Sequence, residues 1–294
     1  MNDGQLGMHQ LTGTNFSYQH HSFERCLNDM AEFGRRQFEL WGIAPHAEIT
    51  TMGTKEAKSI AQKLDSYGMV ALCFTPEQVA YPINIASPDS GLRKRSIDQL
   101  KHAVEVTSAL GAEFLFLTSG RGTEDEPEEM AWERSRDALK QITAYADLHG
   151  VRCLLEPLQR VESNLVIHSS GAARMLDEVD SPILGVCLDT VAMAAAHESV
   201  ESYMSNLPGR IWHVHLVDGT PTGHMAWPEG NLDLGSILAS LAAANYTGMM
   251  TTELFGNGEY ALAPQAAFRR SFDAISREMA VLAESAKITA TRTT

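Results

Sequence analysis

Short apolar runs alternate with longer amphipathic stretches along the chain. The short runs predict buried strands, and the longer stretches, in which apolar residues recur at helical spacing, predict helices packed on one face. The predicted strands span residues 6–11, 37–41, 69–75, 113–119, 151–156, 183–189, 211–217 and 249–253. The predicted helices span residues 21–33, 54–67, 90–110, 128–149, 169–178, 199–205, 234–244 and 264–286.

Several of the predicted helices are followed by a glycine just before the next strand. Glycine readily adopts the left-handed conformation that ends many helices, so these positions indicate helix ends. They are Gly34, Gly68, Gly111, Gly150 and Gly248. Eight strand–helix units in 294 residues predict an α/β fold, a (β/α)8 TIM barrel. We expect this single domain to cover residues 1–294, with a frayed C-terminal tail from about residue 287.

Composition narrows the classes of partner. The chain is 44% hydrophobic and carries a formal net charge of −14, which argues against nucleic acid or an anionic membrane surface as its partner. Its four cysteines are widely spaced within apolar stretches and are predicted to be reduced core residues. The first residues lack the features of a signal peptide, and no apolar run is long enough to cross a bilayer. These features predict a cytoplasmic protein.

The strand predicted at residues 211–217 carries two histidines, His213 and His215, on one face. Both faces of this strand are otherwise apolar, so the imidazoles need polar partners, because an unpaired buried polar group is costly. A bound metal ion is one candidate partner. In a (β/α)8 barrel the functional groups lie at the C-terminal ends of the strands. Three carboxylates stand at such ends, namely Glu156, Asp189 and Glu253.

Together these residues predict a metal site with mixed oxygen and nitrogen ligands, formed by Glu156, Asp189, His215 and Glu253. This set suits Mn²⁺, our first choice, or Co²⁺, Mg²⁺ or Fe²⁺, whereas structural zinc usually prefers sulfur ligands. Each residue alone has an ordinary structural explanation, such as a turn cap or an ion pair. Their joint occurrence at the ends of four successive strands favours one shared site. His213, one layer deeper, is predicted to be structural.

Several short segments resemble the sugar phosphate isomerase/epimerase superfamily, the xylose isomerase-like barrels. They are Trp41-Gly-Ile-Ala-Pro-His46, Thr75-Pro-Glu77, Tyr81-Pro-Ile-Asn84, Leu155-Glu-Pro157, Glu162-Ser-Asn164 and His213-Val-His-Leu-Val-Asp218, followed by His224 and Pro228-Glu-Gly230. The resemblance covers nearly the whole chain and is closest to the fructoselysine 3-epimerase subgroup. It implies the same four metal ligands as the strand ends do.

The resemblance also implies a reaction. In related epimerases a divalent ion polarises a sugar carbonyl, and two carboxylates move a proton at the neighbouring carbon through an enediolate. The matching acid–base pair is Glu156 and Glu253, and Glu162 matches a glutamate that contacts substrate. Many ketose 3-epimerases have a histidine where this chain has Ala192 and an arginine where it has Pro221. These departures favour a substituted ketose such as a fructosamine over a free ketohexose, and the predicted substrate is an unphosphorylated ketose of this kind.

Three more residues are candidates for contact with a sugar. Trp41 and His46 lie in the loop predicted after the second strand and are expected to form a wall of the sugar pocket, because aromatic side chains commonly line ligand sites. His224 lies in the long loop after the seventh strand. It either closes over substrate or packs within the loop. No cluster of basic residues suggests a sugar phosphate as the substrate.

Other functions remain alternatives. The chain resembles the barrel subunit of a C-glycoside deglycosidase, a carbon–carbon lyase that acts on 3-oxo-glucosides with a small β-rich partner subunit. A hydroxypyruvate isomerase-like aldose–ketose isomerase is a third hypothesis. Endonuclease IV shares the fold but needs about three metal ions and a basic cleft, which the acidic composition opposes. A non-catalytic sugar-binding barrel would leave a complete ligand set unused. For the epimerase we expect a homo-oligomer with no nucleic-acid or membrane partner.

Overall fold

Within residues 6–79, 82–256 and 258–292, which the computed structural model describes, eight parallel strands form one sheet in chain order. The strands are β1 Gly13–Thr14, β2 Gln37–Gly42, β3 Val70–Pro76, β4 Phe114–Thr118, β5 Arg152–Glu156, β6 Leu184–Asp189, β7 Ile211–His215 and β8 Met249–Thr251. A parallel bridge between Leu11 and Met250 links the two edges of the sheet, and the Thr12 amide donates to the Met250 carbonyl at 2.9 Å. The strands therefore form a nearly closed (β/α)8 barrel, which confirms the predicted fold.

Helices follow the strands and cover the outside of the barrel. They are α1 Phe23–Glu32, α2 Thr54–Ser66, α3 Ser90–Leu110, α4 Glu128–Leu148, α5 Ser169–Val179, α6 Thr190–Ala195, α7 Val200–Asn206, α8 Leu234–Ala243 and α9 Pro264–Arg292. In the described part of the chain, no helix combines the length and apolar character needed to span a membrane. Tyr81, from one of the motif segments, lies outside the described residues.

The first strand lies later in the chain than predicted. The pattern predicts a strand over residues 6–11, but Met8–Gln10 forms a short 3₁₀ turn, and β1 covers only Gly13–Thr14. Leu6 and Leu11 are nevertheless buried. The apolar run is thus part of the core without belonging to a regular strand, and burial alone explains its strand-like composition.

Two other segments differ from the prediction. A short helix, Thr190–Ala195, begins directly after Asp189, whose carboxylate caps it by accepting from the Ala192 amide at 2.6 Å. The last helix, Pro264–Arg292, is longer than predicted. Its backbone is helical through most of the segment for which we expect a frayed tail, and residues 293 and 294 lie outside the described residues.

Four of the five predicted helix-ending glycines have the expected left-handed backbone, with φ between 67° and 72° at Gly34, Gly68, Gly111 and Gly150. The prediction for Gly248 is wrong, because Asn245 (φ 54°) takes the left-handed conformation after α8. Gly248 is required for another reason. A Cβ at this position would collide with the Tyr246 hydroxyl and the Trp212 carbonyl.

The barrel interior changes character along its axis. Leu154 and Cys187 are buried among apolar side chains and precede Glu156 and Asp189 by two positions, so they lie on the same face one layer deeper. The cysteines are all buried and free, as predicted. His213 lies in the same layer, paired in register with Cys187, so this layer is apolar at β5 and β6 and polar at β7.

Candidate metal centre and active site

The four predicted metal ligands converge at the C-terminal mouth of the barrel. Glu156, Asp189 and His215 are the last residues of β5, β6 and β7, and Glu253 lies two residues after β8. His215 Nδ1 is 2.9 Å from Glu156 Oε1, 3.2 Å from Glu253 Oε2 and 4.0 Å from Asp189 Oδ2. One ligand atom from each residue lies within 4.8 Å of all the others, and all four residues are buried.

This donor set fits a divalent cation. Among the described residues, His215 Nδ1 and Glu156 Oε1 are buried and have no hydrogen-bond partner, although they approach each other. Buried polar atoms are normally paired, so two unpaired atoms at one point call for a ligand. Ligand atoms that share an ion with bonds of about 2.1 Å lie roughly 3–4 Å apart, as these do. Carboxylates with one imidazole suit Mn²⁺, Co²⁺, Mg²⁺ or Fe²⁺.

The His215 imidazole is fixed on the sides that do not face the carboxylates. Its ring stacks on Phe116, with centroids 5.2 Å apart and planes 10° from parallel. Its Nε2 lies 3.3 Å from Glu39 Oε1. The sequence pattern does not identify Glu39 as part of the site. The available signal is a single acidic residue inside an otherwise apolar strand, which in a barrel must face a partner from a distant strand.

His213 lies one layer deeper, as predicted. Its Nε2 is 3.1 Å from Glu39 Oε2 and 2.9 Å from the Thr251 hydroxyl, and the ring is fully buried. Among the described residues, His213 forms no hydrogen bond with Glu156, Asp189 or Glu253. His213 therefore has a structural position beneath the site.

His224 contacts the ligand group directly. Its Nε2 lies 3.1 Å from Asp189 Oδ2 and 3.2 Å from Glu253 Oε2. Burial alone would lower the pKa of His224, but the two carboxylates outweigh this and raise the pKa to about 9 in the metal-free protein. His224 also lines the mouth cavity, so it connects the ligand group to the space in which a substrate would lie.

Hydrogen bonds to the Asp218 side chain stabilise the loop that carries His224. The Asp218 carboxylate accepts from the amides of Gly219, Gly230 and Leu232 at 2.8, 2.7 and 3.1 Å. A Cβ at Gly230 would collide with this carboxylate, which explains the glycine in the Pro228-Glu-Gly230 segment. The two backbone hydrogen bonds between Asp218 and Met225 close the loop.

A cavity opens above the ligand group, with about 800 Å³ of empty space including its entrance. Phe16, Trp41 and Phe255 form an aromatic wall in which Trp41 lies 4.6 Å from the Phe16 ring and 5.7 Å from the Phe255 ring. Glu162 also lines the cavity, and its Oε2 accepts from the Gln159 amide at 3.1 Å. The cavity is therefore the place where the structure brings together three of the four predicted sugar contacts, Trp41, Glu162 and His224.

His46, the fourth, does not line this cavity in the described residues, so the expected sugar contact is not supported. Its Nε2 lies 2.8 Å from the His21 carbonyl, and its Nδ1 lies 3.3 Å from Asn15 Nδ2. Asn15 in turn accepts from the Trp41 amide at 2.7 Å and donates to the Trp41 carbonyl at 3.2 Å. His46 therefore supports the Trp41 backbone from behind. Sequence spacing places it in the correct loop but cannot tell which way the ring points.

Comparisons with known proteins identify the family and the fold of the chain. A family model described as xylose isomerase-like TIM barrel matches residues 27–278. Fructoselysine 3-epimerase of Shigella flexneri is 30% identical over 236 residues, 79% of this chain and 84% of that protein. L-ribulose 3-epimerase of Mesorhizobium japonicum is 28% identical over 177 residues, 59% of each chain. A solved L-ribulose 3-epimerase has the same fold, with a TM-score of 0.76 and 22% identity over 97% of both chains.

Proposed function

Because the chain belongs to the xylose isomerase-like TIM barrel family, we propose that it is a divalent metal-dependent 3-epimerase of an unphosphorylated, substituted ketose. Its homologues include sugar 3-epimerases. The observation that carries the proposal is the buried group of three carboxylates and one imidazole, two of whose atoms lack partners among the described residues, at the floor of the mouth cavity.

Glu156, Asp189, His215 and Glu253 would hold the ion. When bound, it supplies positive charge that stabilises the negative charge developing on a sugar carbonyl oxygen as the neighbouring C–H bond breaks. Glu156 is the last residue of β5 and Glu253 follows β8, so their carboxylates approach the cavity from different strands. In the proposed reaction one carboxylate removes the proton, and the other delivers a proton to the opposite face of the same carbon. That exchange inverts the carbon.

The chemistry of the cavity wall supports the substrate class. No lysine or arginine lines the cavity in the described residues, whereas phosphate sites usually contain such groups. Arg121 and Arg160, in the loops after β4 and β5, each pair with Glu124 at 2.6 Å. Glu77 and Glu162 line the cavity together with its aromatic wall. An anionic and apolar wall favours a sugar with a cationic or apolar substituent, as in a fructosamine.

The test is deuterium incorporation at the substrate carbon next to the carbonyl, measured in deuterated water over a panel of ketoses, fructosamines and 3-oxo-glucosides. The protein is stripped with a chelator and then reloaded with Mn²⁺ or Co²⁺. We expect exchange and epimerisation of a fructosamine with the reloaded protein alone. Full activity of a protein shown by elemental analysis to be metal-free would contradict the proposal. Release of the aglycone from 3-oxo-glucosides, dependent on a small β-rich partner, would establish the lyase alternative instead.

Metal affinity is expected to rise with pH up to about pH 8. Burial raises the pKa of Glu156 from 4.5 to about 8 in the metal-free protein; the neighbouring His215 opposes this rise, and the Glu253 and Asp189 carboxylates add to it. Below that pH the bound proton must leave before the carboxylate can bind metal, so each pH unit strengthens binding by about tenfold per proton released. Calorimetric titration with Co²⁺ in two buffers of different ionisation enthalpy would count the protons.

The same pKa shift has an opposite effect on the metal-free fold. Because the folded state holds the Glu156 proton more tightly than the unfolded chain, its contribution to stability is present below about pH 4.5 and is lost as the pH rises towards 8. We therefore expect the gap in melting temperature between metal-loaded and metal-free protein to widen over this range. A pH-independent affinity would show that Glu156 is ionised before metal arrives.

Glu162→Gln is expected to raise KM more than it lowers kcat. Glu162 lines the cavity but is not one of the four clustered ligand residues, so a loss of its charge should weaken a substrate contact. A hydrogen bond to a charged group contributes about 1.5–3 kcal/mol, which corresponds to at least about a tenfold change in KM. Steady-state kinetics on the best substrate of the panel would decide. A large fall in kcat with unchanged KM would instead place Glu162 in the proton transfer.

A further inference from the structure

Glu39 lies beneath the candidate metal site, in the middle of β2, and has no exposed surface. We propose that Glu39 is a positioning residue that fixes the tautomer and orientation of His215, so that Nδ1 presents a lone pair to the metal. This inference rests on the proposed metal site, but it concerns contacts within the protein itself. Glu39 takes no direct part in the proton transfer.

The hydrogen bonds around Glu39 leave little freedom. Its Oε1 receives the Thr75 hydroxyl at 2.6 Å and lies 3.3 Å from His215 Nε2. Its Oε2 receives the Thr251 hydroxyl at 2.6 Å and lies 3.1 Å from His213 Nε2. An ionised carboxylate accepts about four hydrogen bonds and donates none. Both oxygens are thus filled when each imidazole turns an Nε2–H towards the carboxylate.

The donor and acceptor in each hydrogen bond of this network can be assigned by counting the hydroxyl hydrogens. The Thr251 hydroxyl has one hydrogen, and it is donated to Glu39. In the 2.6 Å contact between Thr12 and Thr251 the donor must therefore be Thr12. Every hydrogen in the chain from Thr12 to Glu39 points towards the carboxylate. A neutral His215 with its hydrogen on Nδ1 would place an unprotonated Nε2 against an acceptor that has no hydrogen to offer.

The consequence appears at the other nitrogen of the same ring. With Nε2–H committed to Glu39, neutral His215 carries its lone pair on Nδ1, and this atom is buried without a partner among the described residues. Nδ1 faces Glu156 Oε1 at 2.9 Å and Glu253 Oε2 at 3.2 Å. Carboxylates that hold the far nitrogen of a metal-binding histidine fix its tautomer and raise its basicity. Removing one typically costs 10–100-fold in metal affinity.

Glu39, His213 and His215 are also close enough to hold an ion themselves. The contacts favour positioning over that alternative. Each Glu39–histidine distance is that of a hydrogen bond, and both carboxylate oxygens also receive threonine hydroxyls. An ion between these groups would displace the hydrogens that now satisfy the carboxylate. We therefore expect one metal ion per chain, at the mouth.

The test compares Glu39→Gln and Glu39→Leu with His213→Gln as the matched control. Glutamine keeps one acceptor oxygen at position 39, whereas leucine keeps none. His213→Gln changes the other imidazole on the same carboxylate and retains an N–H donor. Co²⁺ affinity is measured by calorimetry, and the melting temperature of each metal-free variant is measured alongside it.

We expect Glu39→Leu to weaken Co²⁺ binding by about 10–100-fold and Glu39→Gln by less, since it partly rescues the acceptor. His213→Gln should change the affinity by less than about threefold, because it touches the opposite carboxylate oxygen. If Glu39→Leu does not fold, the proposal is tested by comparing the Co²⁺ affinity of Glu39→Gln with that of His213→Gln. Equal losses for these two variants, or no loss for Glu39→Gln, would overturn the proposal.

A second measurement reports the tautomer directly. In Zn²⁺-loaded protein labelled with ¹⁵N-histidine, His215 should show a slowly exchanging Nε2–H and a metal-shifted Nδ1, and Glu39→Gln should broaden or shift this Nε2–H. Metal bound through Nε2, or a second ion lost in the Glu39 variants, would overturn the assignment. If wild-type protein binds no divalent ion, both the positioning role of Glu39 and the proposed function are wrong. If the wild type binds normally and the Glu39 variants do too, only the positioning role fails.

Discussion

Glu156→Gln and Glu253→Gln are each expected to lower turnover by roughly 10²-fold or more, the scale set by losing a positioned acid or base. Glutamine keeps the size of the side chain and one oxygen that can face a metal ion, but it cannot accept the substrate proton. Both variants should therefore retain metal, although more weakly. The measurement pairs turnover with metal content for each variant. Glu113→Gln, at the opposite end of the barrel where Glu113 pairs with Arg152, is the control and should keep normal turnover.

Isotope washout separates the roles of the two glutamates. If each carboxylate serves one face of the substrate, each variant should lose solvent exchange from one epimer more than from the other. If both variants lose exchange equally from both epimers, the glutamates act only in holding the metal, and the acid–base pair must be sought elsewhere at the mouth. Glu162 and His224, which line the cavity, would then be tested first.

His215→Ala is expected to weaken metal binding by more than the 10–100-fold that follows from losing a supporting contact. It deletes the only imidazole in the clustered ligand set and leaves three buried carboxylates facing one another. Calorimetric titration with Mn²⁺ and elemental analysis of the purified variant would measure the loss. Retention of wild-type affinity would remove His215 from the ligand set.

His213→Ala is the control for this second prediction. His213 contacts Glu39 and Thr251 and lies below the ligand group, so its removal leaves buried acceptors without a donor. We expect a loss of about 1–3 kcal/mol in unfolding free energy with metal binding retained. The contrast between two histidines that are two positions apart on one strand would show that the effect of His215→Ala is specific to the ligand position.

The four ligand residues are predictable from the sequence because two general rules of barrel structure apply to them. Apolar alternation locates the ends of β5 to β8, and parallel strands in a barrel bring those ends to one mouth. Glu156, Asp189, His215 and Glu253 therefore stand together without any knowledge of their contacts. The same rules locate Trp41 and Glu162 at that mouth. Their roles towards a substrate stay predictions.

What the sequence does not predict depends on direction and on distant partners. His46 lies in the expected loop, but its ring turns away from the cavity towards Asn15 and the His21 carbonyl. Glu39 lies inside a strand, and only the closed barrel brings it under both histidines. The segment predicted as a strand at residues 6–11 buries Leu6, Gln10 and Leu11 without forming a regular strand, and composition cannot distinguish the two cases. Each case concerns side-chain orientation or long-range pairing, which local patterns do not encode.

The network around Glu39 also has a consequence for the order of folding. Its hydrogen bonds to His213, His215 and Thr251 join residues 174, 176 and 212 positions apart in the chain. Contacts this distant form only after large loops have closed, so they belong to the late, entropically costly part of folding. The ligand group is complete only when β8 has joined the barrel beside the segment that contains Thr12. A bound ion would then hold together a barrel that has already closed, and its stabilising effect should slow unfolding more than it speeds folding.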